Sequence, residues 1–137
     1  MKVADIMSSQ PVTLTEQDNA DTAAKLMEKH NIGSLPVVNG QELRGIITDR
    51  DIVLRCVAKG QEPSRTNAAE IMSPYVASVS SDESIGVALN MMGEYQVQRL
   101  PVVDNGKLCG MLSLSDIARQ RIYDEVSEAV AEIKSVY

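Results

Sequence analysis

A mixed α/β (α+β) fold is predicted, in which two β-α-β-β-α repeats pack by pseudo-two-fold symmetry and a helix follows at the C-terminus. The first observation behind it is a tandem repeat of short motifs. Asp5-Ile6-Met7-Ser8 recurs as Glu70-Ile71-Met72-Ser73, and Leu35-Pro36-Val37-Val38 recurs as Leu100-Pro101-Val102-Val103, both 65 residues later. The second observation is that this register holds without a gap from residues 3–55 to 68–120. Two small copies of one unit are expected to cover each other's apolar faces.

Each copy of the repeat shows the same succession of local signals. A short apolar stretch, Val12-Thr13-Leu14, predicts a brief strand, and Thr15-x-x-Asp18 predicts a capping box for the helix that follows. Pro36 then opens a β-branched run, Asn39-Gly40 indicates a hairpin turn before the return strand, and a second helix is predicted near Asp49. The second copy repeats this order with Ala77-Ser78-Val79, Ser80-x-x-Glu83, Pro101, Asp104-Asn105-Gly106 and a helix near Ser115.

The repeat divides the chain into four parts. Gly60 and Pro63 mark the crossing between the copies, and Asn67-x-x-Glu70 predicts the cap of a short helix that opens the second copy. The predicted boundaries are a first repeat over 1–58, a linker over 59–67, a second repeat over 68–120 and a C-terminal amphipathic helix over 121–137.

The C-terminal helix is predicted from its apolar face. Apolar residues recur at helical spacing in a segment without Gly or Pro, namely Ile122, Val126, Val130 and Ile133. Such a face needs an apolar surface to pack on. We expect a homodimer in which the repeat helices form most of the interface and this helix packs on it or extends it. The alternative is a helix folded back on its own subunit.

The charge balance and the aromatic content argue against nucleic acid as the main partner. The chain has 13 Lys and Arg against 19 Asp and Glu, a net charge of −6, and it contains neither Phe nor Trp. Binding to nucleic acid requires a basic surface and usually aromatic stacking platforms. No apolar signal segment opens the chain and no stretch approaches the length of a membrane span, so no membrane partner and a cytoplasmic location are predicted.

The cysteines and the single histidine do not form a recognisable chemical centre. Cys56 and Cys109 lie 53 residues apart, and His30 is the one histidine. This spacing matches no zinc motif and no Ser-His-Asp or Cys-His arrangement, so we predict no metal, no cofactor and no catalysis. Two reduced thiols are the favoured interpretation, and a disulfide stays open as an alternative. The seven methionines are interpreted as flexible core residues.

The repeated motifs resemble those of a tandem CBS-domain pair, or Bateman module, of the free-standing bacterial or archaeal type. The resemblance is carried by the DIMS and EIMS segments, both LPVV segments, GIITDRD at 45–51 and GMLSLSD at 110–116, and it covers residues 3–120. It implies a regulatory ligand-sensing module without catalytic activity. The implied ligands are adenosine compounds such as AMP, ADP or ATP, bound in the clefts between the repeats, and the implied assembly is a flat dimeric disc.

The resemblance also implies which residues contact the ribose and the phosphate. Thr48 and Asp51 match the family segment whose carboxylate accepts from the ribose hydroxyls, and Ser113 and Asp116 match it in the second copy. The adjacent helix N-terminus is expected to offer free N–H groups to a phosphate. Residue types alone favour a helix cap for Thr-x-x-Asp, the resemblance favours ligand contact, and the two roles are compatible.

Arginines are the candidate phosphate ligands. Arg50 and Arg99 are favoured, while Arg55 and Arg119 lie deeper in their helices. Arg50 is unique to the first copy and Arg99 to the second. We therefore expect different arginines to hold the phosphates in the two clefts, and the two affinities to differ. The alternative for each is a solvated surface position.

An apolar adenine pocket that uses main-chain groups is implied as well. The positions that match it are Val12, Thr13, Ile46, Ile47, Ala77, Ser78, Met111 and Leu112. The alternative for these positions is ordinary hydrophobic core. Two further functions stay open: a protein-interaction adaptor with empty clefts, and a sensor of another adenosyl ligand such as S-adenosylmethionine, NAD or a cyclic dinucleotide.

Overall fold

The computed structural model describes residues 1–74 and 77–136, with the side chains of Val130 and of residues 132–136 left undescribed. A π-helical segment, Val53–Val57, directly continues α3, and a single 3-10 turn, Pro63–Arg65, lies in the linker. The helices and strands run in the order α1 (Val3–Ile6), β1 (Ser8–Ser9), β2 (Leu14–Thr15), α2 (Ala20–His30), β3 (Ser34–Asn39), β4 (Glu42–Thr48), α3 (Asp49–Ile52), α4 (Ala68–Ile71), α5 (Ile85–Tyr95), β5 (Arg99–Asp104), β6 (Lys107–Ser113) and α6 (Leu114–Val136).

Two antiparallel hairpins form the centre of the sheet and show the pseudo-two-fold symmetry. β3 pairs with β4, and β5 pairs with β6 in the same register 65 residues later. The hairpins meet where Glu42 pairs with Lys107, two residues that are themselves 65 positions apart. A pseudo-two-fold axis therefore passes between these residues, which confirms the predicted mixed α/β architecture.

The short helix that opens each repeat packs into the core of the other repeat. Val3 of α1 is fully buried in a cluster with Leu100 and Leu112 of the second repeat. Ala68 and Ile71 of α4 are buried in the corresponding cluster of the first repeat. The repeating unit of the sequence and the packing unit of the structure are thus different, and the two repeats interlock.

Gly45 and Gly110 allow these crossing segments to pass close to the sheet. A Cβ atom at Gly45 would lie 2.8 Å from the Ser73 carbonyl oxygen and 2.7 Å from the Met72 sulfur. A Cβ atom at Gly110 would lie 2.8 Å from the Ser8 carbonyl oxygen in the same way. The glycine of each repeated motif is therefore required by a close backbone approach.

The predicted starts of the two long helices were wrong. The Thr15 N–H does donate to the Asp18 carboxylate at 2.8 Å, but this bond closes a turn that precedes the helix. α2 is capped instead by Asn19, whose side-chain oxygen accepts a backbone N–H of the first turn at 2.8 Å. α5 is capped by Ser84 in the equivalent position. The predicted cap of the short helix α4 is confirmed, since the Asn67 N–H donates to the Glu70 carboxylate at 2.8 Å.

The last helix of the second repeat and the C-terminal helix are one continuous element, α6. Its first turns contact α1 and α5. Ile122 and Val126 are 60% and 57% exposed, so this part of the helix does not fold back on its own subunit. The side chains of Val130 and Ile133, the other members of the predicted apolar face, lie outside the described residues.

The remaining expectations concern the thiols and the membrane. Cys56 is buried in the core of the first repeat, Cys109 is partly buried in the second, and both are free thiols. Among the described residues, none of the helices has the length and hydropathy that a bilayer span requires.

Candidate ligand-binding clefts

Thr48 and Asp51 cap the helix that follows β4. The Thr48 N–H donates to Asp51 Oδ2 at 2.9 Å, and the Asp51 N–H donates to Thr48 Oγ1 at 3.1 Å. The arrangement arises locally, because the end of a strand places Thr48 in extended backbone directly before the first turn of α3. The structural role that residue types alone allowed is therefore present.

The cap leaves part of each side chain available. Asp51 Oδ1 takes no part in the capping bonds, and its nearest charged neighbour is the Arg55 Nε at 3.9 Å. The Thr48 hydroxyl accepts in the cap, so its own proton remains free to be donated. One carboxylate oxygen and one hydroxyl donor thus remain for a ligand.

The backbone N–H groups at the start of α3 are already satisfied, so the expectation of free donors for a phosphate was wrong. The Asp49 N–H donates to the Gly33 carbonyl at 3.0 Å, and the Arg50 N–H donates to the Asp49 carboxylate at 2.8 Å. The third N–H, that of Asp51, belongs to the cap. The loop before β3 and the acidic first turn compete with any phosphate for these donors, so an anion here must be bound by side chains.

We call the two adjoining cavities beside Thr48 the first cleft. One, of about 250 Å³, is lined by Asp51 and by apolar side chains that include Ile46 and Ala77. The other, of about 480 Å³, is lined by the basic residue Arg50. Ile46, Thr48, Val97 and Arg99 line both cavities. The first cleft therefore combines an acceptor, a hydroxyl, apolar walls and arginine in one place.

The equivalent residues of the second repeat are divided between two cavities. The second cleft, as we name it, is a cavity of about 280 Å³ lined by Val12, Pro36 and Met111. Asp116 lines a different cavity, of about 380 Å³. Ser8 lines both. In this half of the molecule the carboxylate and Met111 therefore line two cavities that meet at Ser8.

The second capping pair also makes contacts that differ from those of the first. Asp116 Oδ1 accepts from the Arg119 guanidinium at 3.0 Å, whereas the position equivalent to Arg119 in the first repeat is Leu54. Ser113 is 6% exposed, and its hydroxyl is engaged by the Asp116 N–H at 3.1 Å and by the Ser115 hydroxyl at 3.2 Å. The second capping pair is thus committed to internal contacts.

The adenine-pocket positions follow the alternation of strand side chains. Ile46 and Met111 line the clefts, but their neighbours Ile47 and Leu112 are completely buried in the two cores. The prediction for these two neighbours was wrong because successive side chains of a strand point to opposite faces. Val12 and Ala77 line the second and the first cleft respectively.

Two further adenine-pocket positions are misplaced. Thr13 is exposed, and it lies one residue beyond Val12, the neighbour that lines the second cleft. Ser78 is also exposed and lines a separate depression with Val103 and Pro74. Both errors have the same cause as before, since a cleft on one side of an extended segment is reached by every second side chain.

The arginines are not distributed as expected. Arg50 lines only the first cleft among these cavities, whereas Arg99 lines both clefts and so is not confined to the second, as its place in the second repeat suggested. The reason is the interlocked packing, which brings the start of β5 beside α3 of the other repeat. Arg55 donates to the carbonyl oxygens of Ile71 and Met72 at 3.1 and 3.3 Å and so holds the end of α4.

Some residues of the first cleft were missed by the sequence analysis. Pro101 lies two residues after Arg99 in β5, and the period of a strand places both on one face. The loop residues Gln96, Val97 and Gln98 precede the same strand. Ser73 reaches the cleft from the crossing segment. No local pattern predicts its position, because it depends on the exchange of the short helices.

A family model, that of the CBS domain, matches residues 3–57 and again 68–123. The chain belongs to the CBS domain family. CBS pairs are regulatory ligand-binding modules, and no catalytic family is indicated for this one.

Relatives and solved structures share this architecture along most of their length. The CBS domain-containing protein YhcV of Bacillus subtilis is 37% identical over 123 residues, which cover 90% of this chain and 87% of YhcV. Hypoxic response protein 1 of Mycobacterium tuberculosis is 37% identical over 116 residues, which cover 84% of this chain and 81% of that protein.

Two crystal structures of CBS pairs are similar to this chain. Hypoxic Response Protein I with two coordinated zinc ions superposes with a TM-score of 0.82 at 36% identity, covering 87% of this chain and 98% of that one. The CBS pair of protein MJ0100, in complex with 5′-methylthioadenosine and S-adenosyl-L-methionine, has a TM-score of 0.80 at 32% identity, covering 90% and 98%. Within residues 1–74 and 77–136 of the present chain, no group of three or more His, Cys, Asp or Glu side chains is arranged to hold a metal ion.

Proposed function

We propose that this CBS pair is a regulatory module that binds an adenine nucleotide, such as AMP, ADP or ATP, in the first cleft. The observation that carries the proposal is the shared cavity of Asp51, Thr48 and Arg99 with the apolar side chains Ile46 and Ala77. A nucleotide needs these groups together: an acceptor for the ribose, apolar walls for the base and a cation for the phosphate.

Each part of the nucleotide has a partner in this arrangement. The free Asp51 oxygen accepts from the ribose hydroxyls while the other oxygen keeps the helix cap. The base lies against Ile46 and Ala77. The phosphate is bound by the Thr48 hydroxyl and the Arg99 guanidinium, because the backbone donors of α3 are already used.

Two considerations favour an adenosine phosphate over other ligands. The MJ0100 pair was crystallised with two adenosyl compounds, which supports an adenosyl group here. Arg50 and Arg99 line one cavity. Two guanidinium groups attract a phosphate and oppose the positive sulfonium of S-adenosylmethionine.

The test separates ligand binding from helix capping by a conservative pair of variants. Asp51→Asn retains an amide oxygen for the Thr48 N–H but loses the charge and one acceptor. AMP affinity in calorimetry should fall about tenfold to a hundredfold, the range for a hydrogen bond to a charged group. Asp116→Asn is the matched control in the second repeat and should leave first-cleft affinity unchanged. Equal losses in both variants, or none, would refute the assignment.

The identity of the ligand is tested by native mass spectrometry of the purified protein and by a thermal-shift series. AMP, ADP and ATP should raise the melting temperature. One site at a ligand concentration about 100 times Kd adds about 2.7 kcal/mol to the free energy of unfolding. A larger shift with S-adenosylmethionine, NAD or a cyclic dinucleotide would replace the nucleotide by that adenosyl ligand. No shift with any of them would favour an adaptor with empty clefts.

We infer that the module acts as a homodimer. Val53, Leu54 and Val57 are exposed on the helical segment after Asp51, and Ile122, at the position equivalent to Val57, is exposed on α6. Exposed apolar side chains on both helices, at one position related by the pseudo-two-fold operation, suit a second copy of the chain.

The oligomeric state is read from light scattering at micromolar concentration. The mass should be twice the 14.9 kDa of one chain. Val57→Asp together with Ile122→Asp should return it to a single chain, while Gln17→Asp, an exposed polar position on the loop before α2, should not. A single-chain mass for the unaltered protein would exclude the dimer.

A further inference from the structure

The wall between the two clefts is formed by equivalent residues of the two repeats. Ser34 opens β3 and Arg99 opens β5, and each pairs with the last residue of the neighbouring strand, Thr48 or Ser113. Among the described residues that line these cavities, Ser34 and Arg99 are the two that face both the first and the second cleft. Any ligand in either cleft is therefore next to the same pair of side chains.

This wall carries a single positive charge. The first-repeat residue is a serine whose buried hydroxyl has no hydrogen-bond partner among the described residues. The second-repeat residue is Arg99, a guanidinium that both clefts share. The other arginines are differently placed: Arg50 and Arg55 line the first cleft, and Arg119 is paired with Asp116. Anionic ligands in the two clefts would therefore both lie close to Arg99.

We propose that Arg99 couples the two clefts negatively: a phosphate bound in the first cleft pairs with the Arg99 guanidinium and so weakens the binding of an anionic ligand in the second cleft. The proposal rests on the function proposed above, since it requires an adenine nucleotide in the first cleft. The coupling is reciprocal, as linkage requires, and couplings of this kind change affinities by about fivefold or more. An uncharged nucleoside has no phosphate to bind the guanidinium and should bind both clefts without coupling.

Methyl NMR reports the two clefts separately. The Ala77 methyl group lies in the first cleft and the Met111 methyl group in the second. AMP is titrated into the unaltered protein and into Asp51→Asn, whose first cleft is weakened but whose helix cap is retained. The Met111 midpoint should lie at an AMP concentration about fivefold or more higher in the unaltered protein than in Asp51→Asn. Asp51→Ala serves as the second variant with a weakened first cleft.

Substitution of Arg99 decides whether this residue carries the effect. Arg99→Ser copies the equivalent residue Ser34, and combining it with Asp51→Asn should bring the two Met111 midpoints together. Arg65→Ser removes the same charge from an exposed linker position and should leave the difference intact. When adenosine replaces AMP, the Met111 midpoint should be the same in the unaltered protein and in Asp51→Asn.

The outcomes separate the two proposals. If both methyl groups shift but the Met111 midpoint is the same with and without Asp51, or moves in the opposite direction, the coupling is refuted and nucleotide binding stands. The same holds if the difference survives Arg99→Ser, or if Met111 fails to shift in every variant while Ala77 does. If neither methyl group responds to AMP, the proposed function itself fails and the coupling fails with it.

Discussion

The two clefts are built from equivalent residues, yet the structure arranges them differently. In the first, Asp51 opens onto the same cavity as Ile46 and Ala77. In the second, Asp116 is held by Arg119 and faces one cavity while Met111 lines another. A repeated local motif therefore does not ensure an equivalent site, because the residues around the carboxylate differ between the repeats.

The same contrast appears away from the clefts. In the first repeat Glu16 pairs with Arg44 at 3.2 Å. In the second repeat the equivalent positions are Ser81 and Cys109, and both bond to the Asp104 carboxylate. The Ser81 hydroxyl and N–H lower the pKa of Asp104, whereas burial and the nearby Asp104 charge raise the pKa of Cys109. In the first repeat an ion pair, and in the second a carboxylate bonded to uncharged donors, occupies the equivalent place in the scaffold.

Truncation of the two cores should show that the scaffold, unlike the clefts, is equivalent in both repeats. Leu35→Ala and Leu100→Ala each remove a completely buried side chain, and each should cost about 2–5 kcal/mol of the free energy of unfolding. Because α1 and α4 are exchanged between the cores, chemical denaturation should show one transition in both variants. Two separate transitions would mean that the repeats fold independently.

The paired glycines provide the next largest effect. Gly45→Ala and Gly110→Ala each place a Cβ atom within 2.8 Å of a backbone carbonyl oxygen, so either should cost about 1–3 kcal/mol through overpacking. Thermal denaturation of the two variants should give similar losses. A loss of stability confined to one variant would show that the two crossing segments are not equivalent. Neither substitution alters a charged residue or a helix-capping residue of the clefts.

Releasing Asp116 should make the second cleft more like the first. Arg119→Leu copies the first-repeat residue Leu54 and removes the pair to Asp116, in which the arginine is 75% exposed. An exposed ion pair contributes only a few tenths to about 1 kcal/mol. The AMP affinity of the second cleft, measured from the Met111 methyl signal, should therefore rise about two- to fivefold. Arg121→Leu on the exposed face of α6 is the control. Weaker binding after Arg119→Leu would instead make Arg119 a ligand contact.

The smallest effect is expected at Asp104 and depends on pH. A folded-state pKa below the ordinary 3.8 means that the carboxylate stabilises the fold at pH values above 3.8. This contribution is lost as the pH falls through the lowered value. The difference in melting temperature between the unaltered protein and Asp104→Asn should stay constant from neutral pH to about 3.8 and shrink below it. A difference that is unchanged at lower pH would contradict the role of Ser81.

Much of the fold and the centre of the first cleft could be predicted because they follow from local patterns. The 65-residue register, the hairpins and the capping pair of Thr48 and Asp51 depend on residues close in sequence. The helix starts could not be predicted as well. The Ala20 N–H donates to the Thr66 carbonyl at 2.8 Å, a contact across 46 positions that fixes where α2 begins.

The sequence by itself determined the repeat, the order of the elements and the residue types available to a ligand, because short-range periodicity and turn chemistry specify them. Only the tertiary structure decided which of those residues meet. The packing of the two repeats brings Arg99 to the cavities lined by Thr48, and Asp116 pairs with Arg119 and lines a different cavity from Met111. The reason is physical: each apolar core is completed by a short helix from the other repeat, so the clefts are formed by packing between segments that are distant in sequence.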